Sequence, residues 1–133
     1  MTSIREMSFL RLALLIDAVA SGMTAALLVA GADVLRDWFG LPVVLMREAG
    51  LLLVVYVAFV VFVATRAQIS TGAVWIVIVC NALWTVASFA ILEAGMVSPT
   101  TLGMVFVIGQ ALAVLALGAL QFIALRRPQA LLV

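Results

Sequence analysis

Four long apolar runs, separated by short polar stretches, dominate the pattern of this sequence. They cover residues 9–31, 49–65, 67–92 and 94–125. A membrane-spanning helix needs about 20 predominantly apolar residues, so each run predicts one span. The second run is the shortest and needs part of the segment 41–46, or local thinning of the bilayer, to reach across. The third and fourth runs contain no charged residue.

Turn and helix-start signals refine these boundaries. Ser98-Pro99-Thr100 is typical of a turn followed by a helix start, so the third helix is predicted to begin near Gly72 and the fourth near Thr101. Between the first two spans, segment 32–40 separates apolar from charged side chains on two helical faces: Val34, Leu35, Trp38 and Phe39 against Asp33, Arg36 and Asp37. This favours a short interfacial helix, acting as an aromatic anchor in the outer leaflet or as a lid over a cavity in the bundle.

These elements predict an all-α fold, a membrane-embedded up-down-up-down four-helix bundle with a short interfacial helix between helices 1 and 2. Residues 1–133 then form a single transmembrane domain. The hydrophobic fraction of 68% supports this because soluble domains have about 45–50% apolar residues. Membrane lipid is therefore the expected partner, and the net charge of +1 gives no basic face for nucleic acid.

The arginines predict the orientation. Arg5, Arg11, Arg66, Arg126 and Arg127 fall on the side of the two termini, and Arg36 and Arg47 fall on the other side. Because cytoplasmic loops carry an excess of Lys and Arg, both termini are predicted to be cytoplasmic, in a multi-pass protein of a bacterial cytoplasmic (inner) membrane.

Several chemistries are disfavoured by residue type. Histidine is absent and Cys80 is the single cysteine, so a Cys or His zinc site cannot form within one chain. No nucleophile and base pair, phosphate loop or metal cluster stands out. We therefore expect no enzymatic activity, no metal and no cofactor.

Asp17 is the most suggestive polar residue. A carboxylate at the centre of a span costs about 2.5–3.5 kcal/mol, so it must face protein or water. At about 1.5 Å per residue, Asp17 lies roughly 12 Å into helix 1 from its cytoplasmic start. Tyr56 and Asn81 fall at a similar depth, and Gln110 lies one or two turns further outward.

Helical periodicity predicts a shared polar interior. Asp17, Ser21 and Thr24 follow an i, i+4, i+7 spacing, which Asn81, Thr85 and Ser88 repeat beside Trp84. Gln110 and Gln121 also share a helix face. The predicted ligand-binding or polar interior residues are Asp17, Ser21, Tyr56, Asn81, Trp84, Thr85 and Gln110.

Three interpretations of this interior remain open. In the first, Asn81 and Gln110 hydrogen-bond across the bundle and neutralise Asp17, as interhelical contacts. In the second, the residues line a cavity with Asp17 as a protonatable group and Trp84 and Tyr56 as walls. In the third, a helix of a partner protein docks there.

Small residues and boundary carboxylates add weaker signals. The pairs Gly22/Ala26 and Gly109/Ala113 favour close helix packing within the chain, or else a homo-oligomer interface. Glu48 and Glu93 are expected to be solvated at the outer boundary. They would form an outer gate only if the two helix ends were adjacent.

Residues 74–92, with Asn81-Ala82-Leu83-Trp84, and the stretch from Ser98-Pro99-Thr100 to Gln110-Ala111 resemble a family of small bacterial integral membrane proteins. That family is uncharacterised and implies no activity. The chain is also loosely similar to small multidrug-resistance exporters, which use an acidic residue in the first helix and aromatics in the third. Asp17 and Trp84 would take those places, although the family has Glu where this chain has Asp.

The function predicted from the sequence is non-enzymatic: an accessory subunit of a larger membrane complex, or a binder of a small lipophilic ligand. The alternative is a proton-coupled small-molecule exporter acting as a homo-oligomer. Export predicts that Asp17 borders a cavity open to one side. An accessory subunit predicts that Asp17 is hydrogen-bonded in a dry interior.

Overall fold

The computed structural model describes the backbone of residues 2–126 and the side chains of residues 9–126, and within that range every regular element is helical. The helices are α1 (Thr2–Ala30), α2 (Ala32–Phe39), α3 (Val43–Ala64), α4 (Thr71–Glu93) and α5 (Thr101–Arg126). Four of them contain segments long and apolar enough to cross a membrane: Phe9–Ala30, Val43–Ala64, Thr71–Glu93 and Thr101–Arg126. The predicted four-helix membrane fold with a short helix after the first span is confirmed. The side chain of Arg5 and all of Arg127 lie outside the described residues.

The helix boundaries follow local sequence signals. Pro42 precedes α3, which therefore includes residues 43–46, as the length of a span required. Ser70 caps α4 by accepting a hydrogen bond from the Ala73 amide at 3.2 Å. Gly40 ends α2 in the left-handed conformation, with φ of 67°, which glycine adopts without a Cβ penalty.

The four long helices do not pack evenly. α1 packs mainly on α3, α4 packs mainly on α5, and α1 also contacts α5, whereas α3 and α4 make few contacts with each other. Glycines mark the close approaches: a Cβ on Gly50 would lie 2.7 Å from Val29 Cγ2, and one on Gly118 would lie 3.2 Å from Asn81 Cβ. The bundle therefore consists of two tight helix pairs joined through α1 and α5.

The predicted close packing at Gly109 within the chain is wrong. A Cβ added there meets nothing within 4 Å, whereas one on Gly22 would make an ordinary contact with Val57 at 3.9 Å. The physical reason is that Gly109 lies on an exposed face of α5, so its small size serves no helix contact within the described chain.

The bundle has a terminal end, where α1 begins and α5 ends, and an α2 end. At the terminal end, Arg11 of α1 donates from one guanidinium nitrogen to the carbonyl oxygens of Ala64 and Arg66. Ala64 is the last residue of α3 and Arg66 lies just beyond it, where carbonyls have no donor within the helix. Arg11 thereby satisfies them and fixes α1 to the end of α3.

At the α2 end, the short helix rests on α5. The Phe39 ring stacks on Phe106 at 4.6 Å between centroids, and the Thr100 amide donates to the Phe39 carbonyl at 2.9 Å. The carbonyl of Phe39 lies so close to α5 that a Cβ on Gly103 would be 2.0 Å from it. Leu35 and Phe39 are buried while Val34 and Trp38 are exposed, so α2 both covers the bundle and presents an aromatic side chain outward.

Candidate functional site

Asp17 lies at the centre of a hydrogen-bonded cluster and is 0% exposed. Its Oδ1 accepts from the Ser21 hydroxyl at 2.9 Å. Its Oδ2 accepts from the Tyr56 hydroxyl at 2.5 Å, the Gln121 amide at 2.7 Å and the Asn81 amide at 3.2 Å. Four neutral donors therefore surround one carboxyl group, replacing the water that the membrane interior lacks.

Two of the donors also bond to each other, because the Asn81 amide donates to Gln121 Oε1 at 2.9 Å. The Tyr56 hydroxyl, whose one hydrogen goes to Asp17, also lies 2.9 Å from Asn81 Oδ1. Each of the four long helices contributes: Asp17 and Ser21 from α1, Tyr56 from α3, Asn81 from α4 and Gln121 from α5. We call these five residues the Asp17 cluster. Among the described residues, it is the point where all four spans meet through side-chain hydrogen bonds.

Thr85 lies next to this cluster, between the backbones of α4 and α5. Its hydroxyl lies 2.9 Å from the Asn81 carbonyl and 3.4 Å from the Ala111 carbonyl on α5. The hydroxyl has one hydrogen, and the shorter distance gives it to the Asn81 carbonyl of the same helix. Thr85 is therefore a buried residue of α4 beside α5, and it makes no side-chain hydrogen bond to the Asp17 cluster.

Trp84 and Gln110 belong to a second polar group. The Trp84 indole N–H donates to Gln110 Oε1 at 2.7 Å. The Gln110 amide nitrogen donates to Ser88 Oγ at 3.0 Å and to the Val107 carbonyl at 2.8 Å. We call Trp84, Ser88 and Gln110 the Gln110 group, which joins α4 to α5 one level nearer the α2 end.

A cavity of about 310 Å³ lies next to the Gln110 group, on the side of the α2 end. Its walls are mainly apolar and come from α1, the first half of α3, the second half of α4 and the start of α5. Leu52 and Ala87, on facing walls, are both exposed, so the cavity opens sideways where α3 and α4 separate. The polar side chains that line it are Thr24, Glu48, Trp84, Ser88 and Gln110.

No member of the Asp17 cluster lines the cavity. A smaller space of about 60 Å³ lies between them, and it is bordered by Ser21 of the cluster and by Thr24, Trp84 and Gln110, which also line the cavity. Asp17 lines neither space. The Trp84 to Gln110 hydrogen bond therefore lies between the apolar cavity and the buried carboxyl group.

The structure brings some predicted site residues together and separates others. Asp17, Ser21, Tyr56 and Asn81 form one cluster, with Thr85 behind it, whereas Trp84 and Gln110 line the cavity. The predicted bonding of Gln110 with Asn81 around Asp17 is wrong, because Gln121 occupies that place. Gln110 lies eleven residues earlier in α5, about 16 Å nearer the α2 end.

Gln121 is not among the predicted site residues, yet a signal for it exists. It lies five residues from the end of α5 at Arg126, or about 7.5 Å, whereas Gln110 lies about 24 Å from that end. Asp17 lies about 12 Å from Phe9. Counting depth on both helices from the terminal end therefore favours Gln121 as the partner of Asp17.

The two boundary carboxylates have different surroundings. Glu48 lines the cavity, and Glu93 ends α4 outside it. Both are exposed, and the ion pairs of the described residues join Asp33 to Arg47 and Asp37 to Arg36. Within that range no three His, Cys, Asp or Glu side chains are grouped closely enough to hold a metal ion.

Comparison of the chain with protein-family models, with curated proteins and with solved structures finds no match.

Proposed function

We propose that this membrane protein binds a small lipophilic molecule, without catalysis, in the cavity between α3 and α4. The observation that carries the proposal is the cavity itself, which has mainly apolar walls and the Gln110 group at its inner end. Its volume of about 310 Å³ lies in the range of small-molecule sites, which combine mostly apolar walls with a few placed polar groups. The sideways opening gives a lipophilic molecule a route from the bilayer.

The packing of the bundle supports a binding role for this space. Protein interiors are normally close-packed, and voids larger than a water molecule are few. Here the residues of α3 and α4 that face each other are held apart while α1 and α3, and α4 and α5, pack tightly. A site that is formed before the ligand arrives requires less ordering on binding.

The surroundings of Asp17 favour binding over proton-coupled export. Export by alternating occupancy of Asp17 would need that carboxyl group to border a cavity, whereas Asp17 lines neither the cavity nor the smaller space next to Ser21. Asp17 is fully buried and has four hydrogen-bond donors, so its role in this proposal is to join the four helices.

The proposal places the protein in the cytoplasmic membrane of a bacterium with both termini in the cytoplasm. The arginine excess at the terminal end supports this orientation. At the α2 end, Arg36 and Arg47 are each paired with an aspartate, Asp37 and Asp33. The cavity then opens within the outer half of the bilayer. As an accessory subunit of a larger complex, the protein would present the same cavity to a lipophilic molecule.

Native mass spectrometry of the gently extracted protein tests the binding function. The wild type should retain a small molecule at a ratio of one per chain, and the spectrum also reports foreign chains and oligomeric state. Ala87→Phe places a ring at the cavity mouth and should abolish retention. Ala82→Phe is the matched control, because Ala82 is also an exposed alanine of α4 but does not line the cavity.

Equal retention by the two variants would contradict binding in this cavity. Retention that is lost in both, with intact helical circular dichroism, would likewise contradict it. Co-purification of a foreign chain at fixed stoichiometry would support the accessory role, and a homo-oligomer that exports the retained molecule only with an intact Asp17 would support the alternative.

A further inference from the structure

We infer that the cavity selects lipophilic molecules that carry a hydrogen-bond donor, such as an O–H group, over matched molecules that carry only acceptors. The inference rests on the proposed binding function and adds the chemical class of its ligand. The reason is that the donor hydrogens of the polar side chains in the cavity already take part in hydrogen bonds within the protein, whereas some acceptor lone pairs do not.

Trp84 fixes the orientation of the Gln110 side chain. An indole N–H is a donor only, so the Gln110 atom that faces it at 2.7 Å must be the oxygen Oε1. The Gln110 amide nitrogen then points the other way, and its two hydrogens go to Ser88 Oγ and the Val107 carbonyl. Both the indole hydrogen and the two amide hydrogens are therefore committed within the protein.

The hydroxyl groups at the cavity are committed in the same way. Ser88 donates its hydrogen to the Trp84 carbonyl at 2.8 Å, and Thr24 donates its hydrogen to the Ala20 carbonyl at 2.9 Å. Glu48, the remaining polar side chain of the lining, is an acceptor when ionised.

Unused lone pairs remain at Gln110 Oε1, which accepts one bond here and has room for two. The oxygens of Ser88 and Thr24 also retain accepting capacity. The side chains at the polar end of the cavity thus offer acceptors to a ligand and no free donor. A ligand hydroxyl gains a hydrogen bond there, whereas a ketone places its oxygen against other oxygens.

Bromine-labelled probes test this selection by quenching tryptophan fluorescence on contact. The reporter protein carries Trp38→Phe and Trp75→Phe, which leaves Trp84 at the cavity as its fluorophore. The probes are 5-bromo-1-decanol and 6-bromo-2-decanone, added to the protein in lipid nanodiscs. In both, the bromine lies four bonds from the oxygen-bearing carbon, so it stays close to Trp84 when the oxygen is at Gln110. A second protein that retains Trp75 alone, which is 41% exposed on the other half of α4, corrects for unequal partitioning of the probes into lipid.

After that correction, the alcohol should quench Trp84 saturably at a concentration about tenfold below the ketone, the ratio given by one hydrogen bond of about 1.4 kcal/mol. Gln110→Leu, added to the reporter, removes the acceptor and frees the indole N–H, so the preference should reverse toward the ketone. If that variant does not fold, the ratio of the two quenching concentrations in the reporter protein decides alone.

Three results would overturn the inference. If both probes quench Trp84 saturably at equal concentrations, the binding function stands, but the cavity does not select the alcohol over the ketone. A preference for the ketone in the reporter protein contradicts the assignment of hydrogens. Quenching of Trp84 that is no more saturable than that of Trp75, for both probes, removes the binding function and the selection with it.

Discussion

The two halves of this bundle use polar side chains in opposite ways. In the half nearer the terminal end, the Asp17 cluster joins α1, α3, α4 and α5, and it leaves no measurable surface on Asp17 or Gln121. In the half nearer α2, the Gln110 group joins only α4 and α5, and α3 stays apart from them across a cavity of about 310 Å³.

The difference shows that the hydrogen-bonding needs of a buried polar group determine how many helices must pack around it. Where a carboxyl group must be buried, every span supplies a donor and the helices close around it. Where the polar group is a neutral amide whose hydrogen bonds α4 and α5 satisfy between them, α3 is not needed as a partner and can lie further away. A membrane protein can therefore be rigid in one half and hold a preformed cavity in the other.

The largest expected effect comes from removing the shared acceptor of the Asp17 cluster. Asp17→Leu leaves the Ser21, Tyr56, Asn81 and Gln121 donors without their common acceptor, and we expect the free energy of unfolding to fall by about 3 kcal/mol. Reversible unfolding in mixed detergent micelles measures it.

Asp17→Asn is the control for that experiment. Its one remaining oxygen can face Tyr56, Asn81 and Gln121, while its amide nitrogen faces the Ser21 hydroxyl, which can accept as well as donate. We expect a loss below about 1 kcal/mol. Equal losses for the two variants would show that the carboxyl oxygens do not hold the spans together.

The second effect tests whether α2 packs tightly on α5 at the end of the half that contains the cavity. Gly103→Ala places a Cβ 2.0 Å from the Phe39 carbonyl, so α2 must move away from α5, and we expect a loss of about 2 kcal/mol. Gly109→Ala is the matched control six residues along the same helix, with nothing within 4 Å of the added Cβ. It should stabilise the protein slightly, because Ala is the better helix former.

Equal melting temperatures for Gly103→Ala and Gly109→Ala would contradict the close contact between α2 and α5. Loss of stability in Gly109→Ala alone would instead indicate that the exposed face of α5 contacts another chain.

The span positions, the interfacial helix and the inward direction of Asp17 could be predicted from the sequence because each depends on local composition or on the penalty for burying charge in lipid. Periodicity identifies a helix face but not a level along it. Gln110 and Gln121 occupy nearly the same face, so only their depth distinguishes the partner of Asp17 from the wall of the cavity.

The separation of α3 from α4 could not be predicted in this way. All four spans have similar hydropathy, and pattern alone does not say which helices touch. That outcome depends on close approaches at particular glycines: Gly50 brings α3 onto α1, and Gly118 brings α5 onto α4, while Gly109, equally small, makes no approach. These contacts are three-dimensional properties of helix pairs.

The third effect compares the two glutamines directly. Gln121→Leu removes a donor to a fully buried carboxyl group and an acceptor of Asn81, and we expect a loss of about 1.5 kcal/mol. Gln110→Leu removes bonds beside an open cavity, where the freed groups of Trp84 and Ser88 have room to rearrange, and the loss should be about 0.5 kcal/mol. Unfolding in mixed micelles measures both, and a larger loss for Gln110→Leu would contradict the division between the two halves.

The smallest expected effect is a coupling energy, and it tests whether the two polar groups are independent. Asp17 and Gln121 share a hydrogen bond, so the losses from Asp17→Leu and Gln121→Leu should fall short of additivity by about 1 kcal/mol in a double-mutant cycle. Asp17 and Gln110 share no partner among their hydrogen bonds, so the losses from Asp17→Leu and Gln110→Leu should add to within about 0.3 kcal/mol. Strong coupling in the second cycle would mean that a change in the hydrogen bonding of Asp17 alters the cavity through the Trp84 to Gln110 bond. The two halves would then act as one unit, and the alternative of export through Asp17 would gain the physical connection that the hydrogen bonds do not provide.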